Sequence, residues 1–410
     1  MIHHRDTENT EIMQNTKYFL AQFIFVRSRL LVFLLCVLCA SVVQIQAQDF
    51  KTLKDGIEYA EVTKDISGLK VNMNLLRLDL KKVRLDVHHA MDAAIGTEKT
   101  SSIATRHGAF AAINAGFFRL DTSIWAGDAA GLLIINREII SDPTNDRIVL
   151  GLTNGKSSTE VAFGRSELTH VVTMGKREID VSGSNRELTK NEIVLYTPQF
   201  HRTTLTSNAG IEIIIRKNRI FRVFHAEESS VIPIDGYVLS ASGTKVAELA
   251  KIARVGMAIQ IAQRVRLIRI SHEPDPPQME SYEDAVAGVP QLIKNGKIDI
   301  TWEEEKSSKS FVETRHPRTA VAKLKDGKFL MITVDGRTES SGGIGLQDLA
   351  EYLLSLGATD AMNLDGGGST TMFVDGKVVN HPSDKEGERK VSDAILVTPR
   401  KSSVANRDKR

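Results

Sequence analysis

Apolar and polar positions alternate with a period of two along much of the chain, so strands dominate the expected structure. Val71, Met73 and Leu75 alternate with Asn72 and Asn74, after which the phase slips and Leu76, Leu78 and Leu80 take over. Such a slip predicts a bulge or bend. Val83, Leu85 and Val87 alternate again around Arg84 and Asp86, as half-buried antiparallel strands do. A short helix is expected over 100–107, capped by Thr100 or Ser101, leading to a buried strand over 110–113 that ends at Asn114-Ala115-Gly116-Phe117-Phe118. Between Gly131 and Val289, short β-rich runs recur at 132–135, 193–196, 211–215, 237–240 and 259–268, mostly bounded by Gly, Asn, Asp or Pro.

In the last third, 320–324 and 329–334 flank Lys325-Asp326-Gly327-Lys328, the pattern of a hairpin with an Asp-Gly turn. Closing it brings Arg318 beside Asp335-Gly336-Arg337. Leu346, Leu349, Ala350, Leu353 and Leu354 follow the helical i, i+3, i+4, i+7, i+8 spacing, and Gly357 supplies a stop. A strand over 361–364 then delivers Asp365-Gly366-Gly367-Gly368-Ser369, and 370–374 turns at Asp375-Gly376 into 377–379. The fold class is therefore α+β, with large, mostly antiparallel sheets and a few packed helices.

The first 47 residues read differently. Arg27 and Arg29 precede an apolar run over 30–43, and Ile45-Gln46-Ala47 offers a small-residue cleavage point, the layout of a signal peptide over 1–47. Residues 18–26 are also mostly apolar, so a longer anchor is the alternative, but two arginines in its middle make a spanning helix costly. Cys36 and Cys39, the two cysteines of the chain, both lie in this run. After cleavage there is no disulfide and no stable membrane span, and an exported chain must rest on its core. A β-rich segment over 48–100 and one large domain over 101–400 follow, with an exposed, proline-rich loop at 273–282 and a polar tail at 401–410. The destination is secretion, or the periplasm and cell envelope.

With 53 Lys+Arg against 51 Asp+Glu the formal charge is +2, so no chain-wide field points to nucleic acid. Hydrophobic residues at 41% and charged residues at 25% exclude a mostly disordered chain and a polytopic membrane protein. Any bound anion must be held by a local site.

The best candidate for that site is the Asp-Gly-Gly-Gly-Ser run. One Asp-Gly suffices for a hairpin, whereas three glycines let backbone approach a ligand with no Cβ in the way. The run lacks the Gly-Lys-Ser/Thr ending of a P-loop, and it runs strand to strand, unlike a dinucleotide fingerprint. A glycine-rich turn accounts for it equally well when it is taken alone.

Five blocks in matching order change that balance: Asn114-Ala115-Gly116-Phe117-Phe118, Pro317-Arg318-Thr319-Ala320, Thr333-Val334-Asp335-Gly336-Arg337, Asn363-Leu364-Asp365-Gly366-Gly367-Gly368-Ser369 and Pro382-Ser383-Asp384. From about Ser101 to Thr398 the chain resembles the phosphodiester glycosidase domain family, whose lysosomal member removes N-acetylglucosamine from a phosphodiester to expose mannose 6-phosphate. Leu195-Tyr196-Thr197-Pro198 and the stretch from Pro233 to Ser240 resemble its bacterial members. The chain departs from them before Pro290, where a glycine-rich stretch is replaced by Ala287-Gly288-Val289.

The resemblance implies a hydrolase acting on a sugar-1-phosphodiester, or a related bond in a surface glycan, with a carbohydrate or sugar-phosphate substrate and no cofactor. Such a bond breaks through an oxocarbenium-like state. Its phosphate leaving group is weakly basic, so the site needs a cation for phosphate and a carboxylate for water or the sugar cation. Arg318 and Arg337 have the fork suited to phosphate. Asp365 is the expected base or nucleophile, with Asp335 second. Asn114 and Asn363 are expected to bind sugar hydroxyls or an acetamido group, and Gly366, Gly367 and Ser369 to donate to oxygen. On strand alternation, Asn363 and Asp365 share a face. His316 is either a proton shuttle or a structural residue. No His cluster or Asp-x-Asp-x-Asp pattern marks a metal near Asp365. A non-catalytic envelope protein that binds polysaccharide in the same pocket is the rival class, and the sequence assigns no oligomeric state.

Overall fold

A computed structural model describes residues 49–207, 210–225, 229–268 and 282–401. The expected signal peptide, most of the 273–282 loop and the tail beyond Lys401 lie outside these residues. From Asp49 on, the described residues form one compact unit. Its main sheet has eight strands in the order Lys51–Lys54, Ile57–Ile66, Leu69–Leu78, Phe329–Val334, Arg318–Leu324, Ala358–Asn363, Gln291–Lys294 and Lys297–Ile298. A five-stranded sheet runs Lys377–Val378, Met372–Val374, Ala111–Asn114, Asp393–Pro399 and Val83–His89. Every pairing in both is antiparallel, so the α+β expectation holds. The 48–100 segment is woven into these sheets, because Leu69–Leu78 pairs with Phe329–Val334 and Val83–His89 with Asp393–Pro399.

The phase slip at Leu75 and Leu76 is not a bulge. Leu69–Leu78 keeps continuous register with both neighbouring strands. Val71, Met73 and Leu75 pack on one face of the sheet with helix Leu346–Ser355, whereas Leu76 and Leu78 belong to the core shared with the five-stranded sheet. The strand is central, so both of its faces need apolar residues, and the slip marks where the larger burial changes face. Asn74, the one polar residue buried between them, accepts from the Tyr59 hydroxyl at 2.6 Å.

The amphipathic helix forms over Leu346–Ser355, with Leu346, Leu349, Ala350 and Leu353 buried and Gly357 in the left-handed region at φ 89°. The short helix spans Thr100–Arg106 and starts one residue before the expected caps, with Lys99 at the cap position. Its exposed amide is met instead by the distant Glu388 carboxylate, which accepts from Ser101 N at 2.7 Å and Ser101 Oγ at 2.5 Å. Local sequence could not supply that cap.

The middle of the chain builds a seven-stranded sheet around Ile148–Asn154 and Thr159–Met174, and a further five-stranded sheet around Gly236–Ala241. The latter has its own core of Ile193, Leu195, Ile213, Leu239 and neighbours. Among the described residues no helix is long and apolar enough to cross a membrane.

Candidate active site

The hairpin of Arg318–Leu324 and Phe329–Val334 pairs Arg318 with Val334, so Arg318 and Asp335-Gly336-Arg337 emerge side by side. Strand Ala358–Asn363 lies next to Arg318–Leu324 and ends beside them. There Leu364 N donates to Thr319 O at 2.8 Å, Asp365 N to Ala115 O at 2.9 Å and Gly367 N to Pro317 O at 2.9 Å. The Asp365 loop is thus fastened to the main sheet by two bonds and to the end of the five-stranded sheet by one.

The three glycines have separate steric reasons. A Cβ on Gly366 would lie 2.8 Å from Pro317 O. Gly367 has φ 61°, and a Cβ there would lie 3.2 Å from Arg337 Nη2. On Gly368 it would meet Asp384 Oδ1 at 2.2 Å and Arg389 Nη2 at 2.3 Å. The run is therefore a close-packed loop between two charged groups, more than a hairpin turn requires.

Asp365 is half-buried, and its Oδ1 accepts from Gly366 N at 2.9 Å. Burial pushes its carboxyl up to about 6; Ser369, the Gly366 amide and Arg389 oppose the rise, and Asp393 adds to it. The Ser369 hydroxyl is buried beside it. Asp335 is 6% exposed, and its Oδ1 accepts from His381 N at 2.9 Å and Asn380 Nδ2 at 3.4 Å. Burial raises its carboxyl as well. Asn380 also donates to Thr370 O and accepts from Met372 N, which ties Asp335 to the segment just after the glycine loop.

Arg318 is 1% exposed. Its Nε donates to Ile344 O at 3.3 Å and its Nη2 to Phe311 O at 2.6 Å and Thr314 O at 2.9 Å, with the guanidinium 4.8 Å from the Phe311 ring centre. No carboxylate neutralises it among the described residues. Burial first, and the nearby Arg337 cation second, bring it down to about 10. Arg337 is exposed and left-handed at φ 62°, an uncommon conformation for a residue with a side chain. Its Nη2 lies 3.3 Å from His316 Nδ1. A guanidinium can only donate, so this contact makes His316 Nδ1 the acceptor. Burial, then Arg318 and Arg337, hold His316 below the ordinary histidine value.

Several expected roles change. Asn114 is fully buried; its Nδ2 donates to Asp365 O at 2.7 Å while its Oδ1 accepts from Thr319 Oγ1 at 2.8 Å and Thr371 N at 3.0 Å. It positions the Asp365 loop instead of facing a sugar. Asn363 is also fully buried, with Nδ2 donating to Val289 O and Leu364 O. Its strand ends there, so alternation does not carry it onto the face of Asp365. The amides of Gly366 and Gly367 are engaged by Asp365 Oδ1 and Pro317 O, and the Ser369 hydroxyl is fully buried beside the Asp365 carboxyl. At the departure before Pro290, a Cβ on Gly288 would lie 2.3 Å from Asn363 O.

Three groups at the site were not anticipated. Arg389 makes a bidentate pair with Asp384 at 2.7 and 3.0 Å. Asp384 lay in a recognised block without a role, and Arg389 lay outside every block. Asp393 is wholly buried in a strand and accepts from Gly116 N and Ser392 Oγ, each at 2.5 Å. One peptide unit, Ala115-Gly116, thus holds the Asp365 backbone through its carbonyl and the Asp393 carboxylate through its amide. Burial raises Asp393, and His89, opposite it on the neighbouring strand, works against that rise. An acid inside an apolar strand pattern has no local sequence signal.

The family model described as phosphodiester glycosidase matches residues 209–398. N-acetylglucosamine-1-phosphodiester alpha-N-acetylglucosaminidase of Bos taurus is 39% identical over 108 residues, covering 24% of this chain and 20% of its own length. The Mus musculus enzyme of that name is 29% identical over 180 residues, covering 42% and 33%. The chain thus spans about a fifth to a third of the length of these curated relatives. A crystal structure of a hypothetical protein from Synechocystis shares the fold, with TM-score 0.73 and 22% identity over 86% of this chain and 64% of that one. Residues 209–398, which hold Arg318, Asp335, Arg337 and Asp365, are thus similar to the phosphodiester glycosidase family.

Proposed function

We propose that this chain is an exported hydrolase that cleaves a sugar-1-phosphodiester, of the N-acetylglucosamine-1-phosphodiester kind, or a related bond in a surface glycan of the cell envelope. The observation that carries the proposal is two guanidinium groups, Arg318 and Arg337, set near one another at the Asp365 loop with no carboxylate partner among the described residues. Adjacent unpaired cations repel, and an anion between them removes that repulsion. A neutral glycan does not.

Arg337, the exposed cation, holds the departing phosphate, and the buried charge of Arg318 adds to the field there. Above pH 6 the Asp365 carboxylate either activates water or attacks the anomeric carbon, and the buried Ser369 hydroxyl supports that carboxylate. His316, neutral and bonded to Arg337, sets the orientation of that guanidinium. Secretion or periplasmic residence follows from the signal-peptide pattern of residues 1–47.

A panel of sugar-1-phosphodiesters, assayed for released reducing sugar, tests the reading. Arg337→Lys is the discriminating variant, because Arg318 also anchors three backbone carbonyls and its replacement would disturb the fold. Loss of the fork should weaken phosphodiester cleavage by about 1.5 to 3 kcal/mol and leave an aryl glycoside of the same sugar nearly unchanged. Equal losses on both substrates would remove the phosphate-holding role from Arg337, and no turnover of any sugar-1-phosphodiester or aryl glycoside would replace the enzyme with a polysaccharide-binding protein.

A further inference from the structure

Away from Asp365, the end of strand Val83–His89 and the end of helix Thr100–Arg106 meet at a side-chain cluster that the proposed reaction does not use. His88, Asp92 and His107 each present one ligand atom, and the three atoms lie within 4.8 Å of one another. The two imidazoles stack with ring centres 3.7 Å apart. His88 and His107 are half-buried and Asp92 is exposed. Met91 and Asp92 both hold left-handed backbone, at φ 56° and 53°, a costly arrangement for two successive residues with side chains.

The hydrogen bonding around His107 is in conflict. Its Nε2 lies 3.0 Å from Asp92 Oδ1 and 3.0 Å from Arg106 Nη1. A carboxylate only accepts and a guanidinium only donates. With a proton on Nε2 the ring suits Asp92 and opposes Arg106; without one it suits Arg106 and faces the carboxylate lone pair to lone pair. A cation between Nε2 and Asp92 satisfies both atoms. Arg106 Nη1 also pairs with Asp92 Oδ2, and Arg106 has a second acid, Glu98, at 2.9 Å, so it can release Asp92 and remain paired.

We propose that His88, Asp92 and His107 form a binding site for a divalent transition metal of the zinc class, with two imidazole nitrogens and one carboxylate oxygen as ligands. This donor set suits zinc, and three protein ligands leave a position for water. The ion would tie strand Val83–His89 to helix Thr100–Arg106.

The experiment is calorimetric titration of the full, untagged chain with zinc chloride at pH 7.5 after chelator treatment, with a thermal melt of each variant. Other zinc ligands lie in the chain, so the readout is the difference between variants. His107→Ala should lose one equivalent of zinc, and Asp92→Asn, an exposed change that keeps the fold, should weaken that equivalent on the order of tenfold or more. Removing the competing cation with Arg106→Gln should tighten it by a similar factor, and zinc should raise the wild-type melting temperature but not that of His107→Ala. Equal stoichiometry and affinity in wild type, His107→Ala and Asp92→Asn would overturn the proposal. So would a wild type and an Arg106→Gln variant that both take up no zinc.

Discussion

Asp365 combines a position at the glycine loop with a carboxyl pushed up from 3.8 to about 6 by burial. The sign of the linkage follows from that direction. Because the folded state favours the protonated form, the carboxyl stabilises the fold fully below pH 3.8, and this contribution is lost as pH rises to about 6. The shift corresponds to about 3 kcal/mol. Asp365→Asn does not titrate and keeps nearly the same volume. It should therefore be more stable than wild type at pH 8, by up to ~3 kcal/mol, with the gap closing toward pH 4. Urea titrations at both pH values check this; a variant less stable at pH 8 would show that the ionised carboxylate supports the fold. The same variant should lose turnover by roughly a thousandfold or more. In wild type, kcat/KM should rise with pH through an apparent value near 6, since the ionised form is the one that acts. A profile flat from pH 5 to 8 would remove Asp365 from that role.

At the scale of elements, Leu75 and Leu76 are neighbours in sequence but face different cores. Each is fully or nearly fully buried, so truncation to Ala should cost about 2 to 5 kcal/mol at either position. Adjacent residues ordinarily couple, but these share no packing partners across the sheet, so the double variant should cost the sum within about 0.5 kcal/mol. A large non-additive term, measured by chemical denaturation, would mean that the two cores communicate through the strand. The glycine loop makes an element-scale prediction of a different kind. Gly368→Ala forces a methyl group into the Asp384–Arg389 pair. It should lower kcat by at least about tenfold, with a stability loss of roughly 1 to 3 kcal/mol. Retained activity would show that this pair can move without disturbing Asp365.

At the scale of the molecule, the site exists only because two sheets pack together. Asp365 N reaches Ala115 O, and Asn114 bridges Asp365 O to Thr319 and Thr371. The partners of the half-buried Asp365, namely Asn114, Ala115, Thr319 and Thr371, are buried, and local opening is least frequent there. Loss of activity in urea should therefore coincide with loss of circular dichroism. Inactivation at clearly lower urea would place the site on a less stable substructure.

Much of this was legible in the sequence, for reasons that are local. Period-two alternation marked the strands, the Asp-Gly turn closed the hairpin that sets Arg318 beside Arg337, and the i, i+3, i+4 spacing marked the helix at 346–355. Those signals depend on residues within a few positions of one another. The glycine run and the order of the blocks singled out the Asp365 region, because backbone packed this closely tolerates few other residues. The rest was decided by contacts between residues far apart in the chain. A slip in alternation reads alike for a bulge and for a strand buried on both faces, and only the second sheet and the helix against Leu69–Leu78 distinguish them. Asn114 has the composition of a sugar ligand, yet it holds a loop 251 positions away. Arg389 and Asp393 reach Asp365 through the folded chain alone. The sequence by itself determined the elements and the chemical types at the site; tertiary structure decided which polar groups are already satisfied by the protein, because a hydrogen-bond partner is a matter of distance in space and not of spacing along the chain.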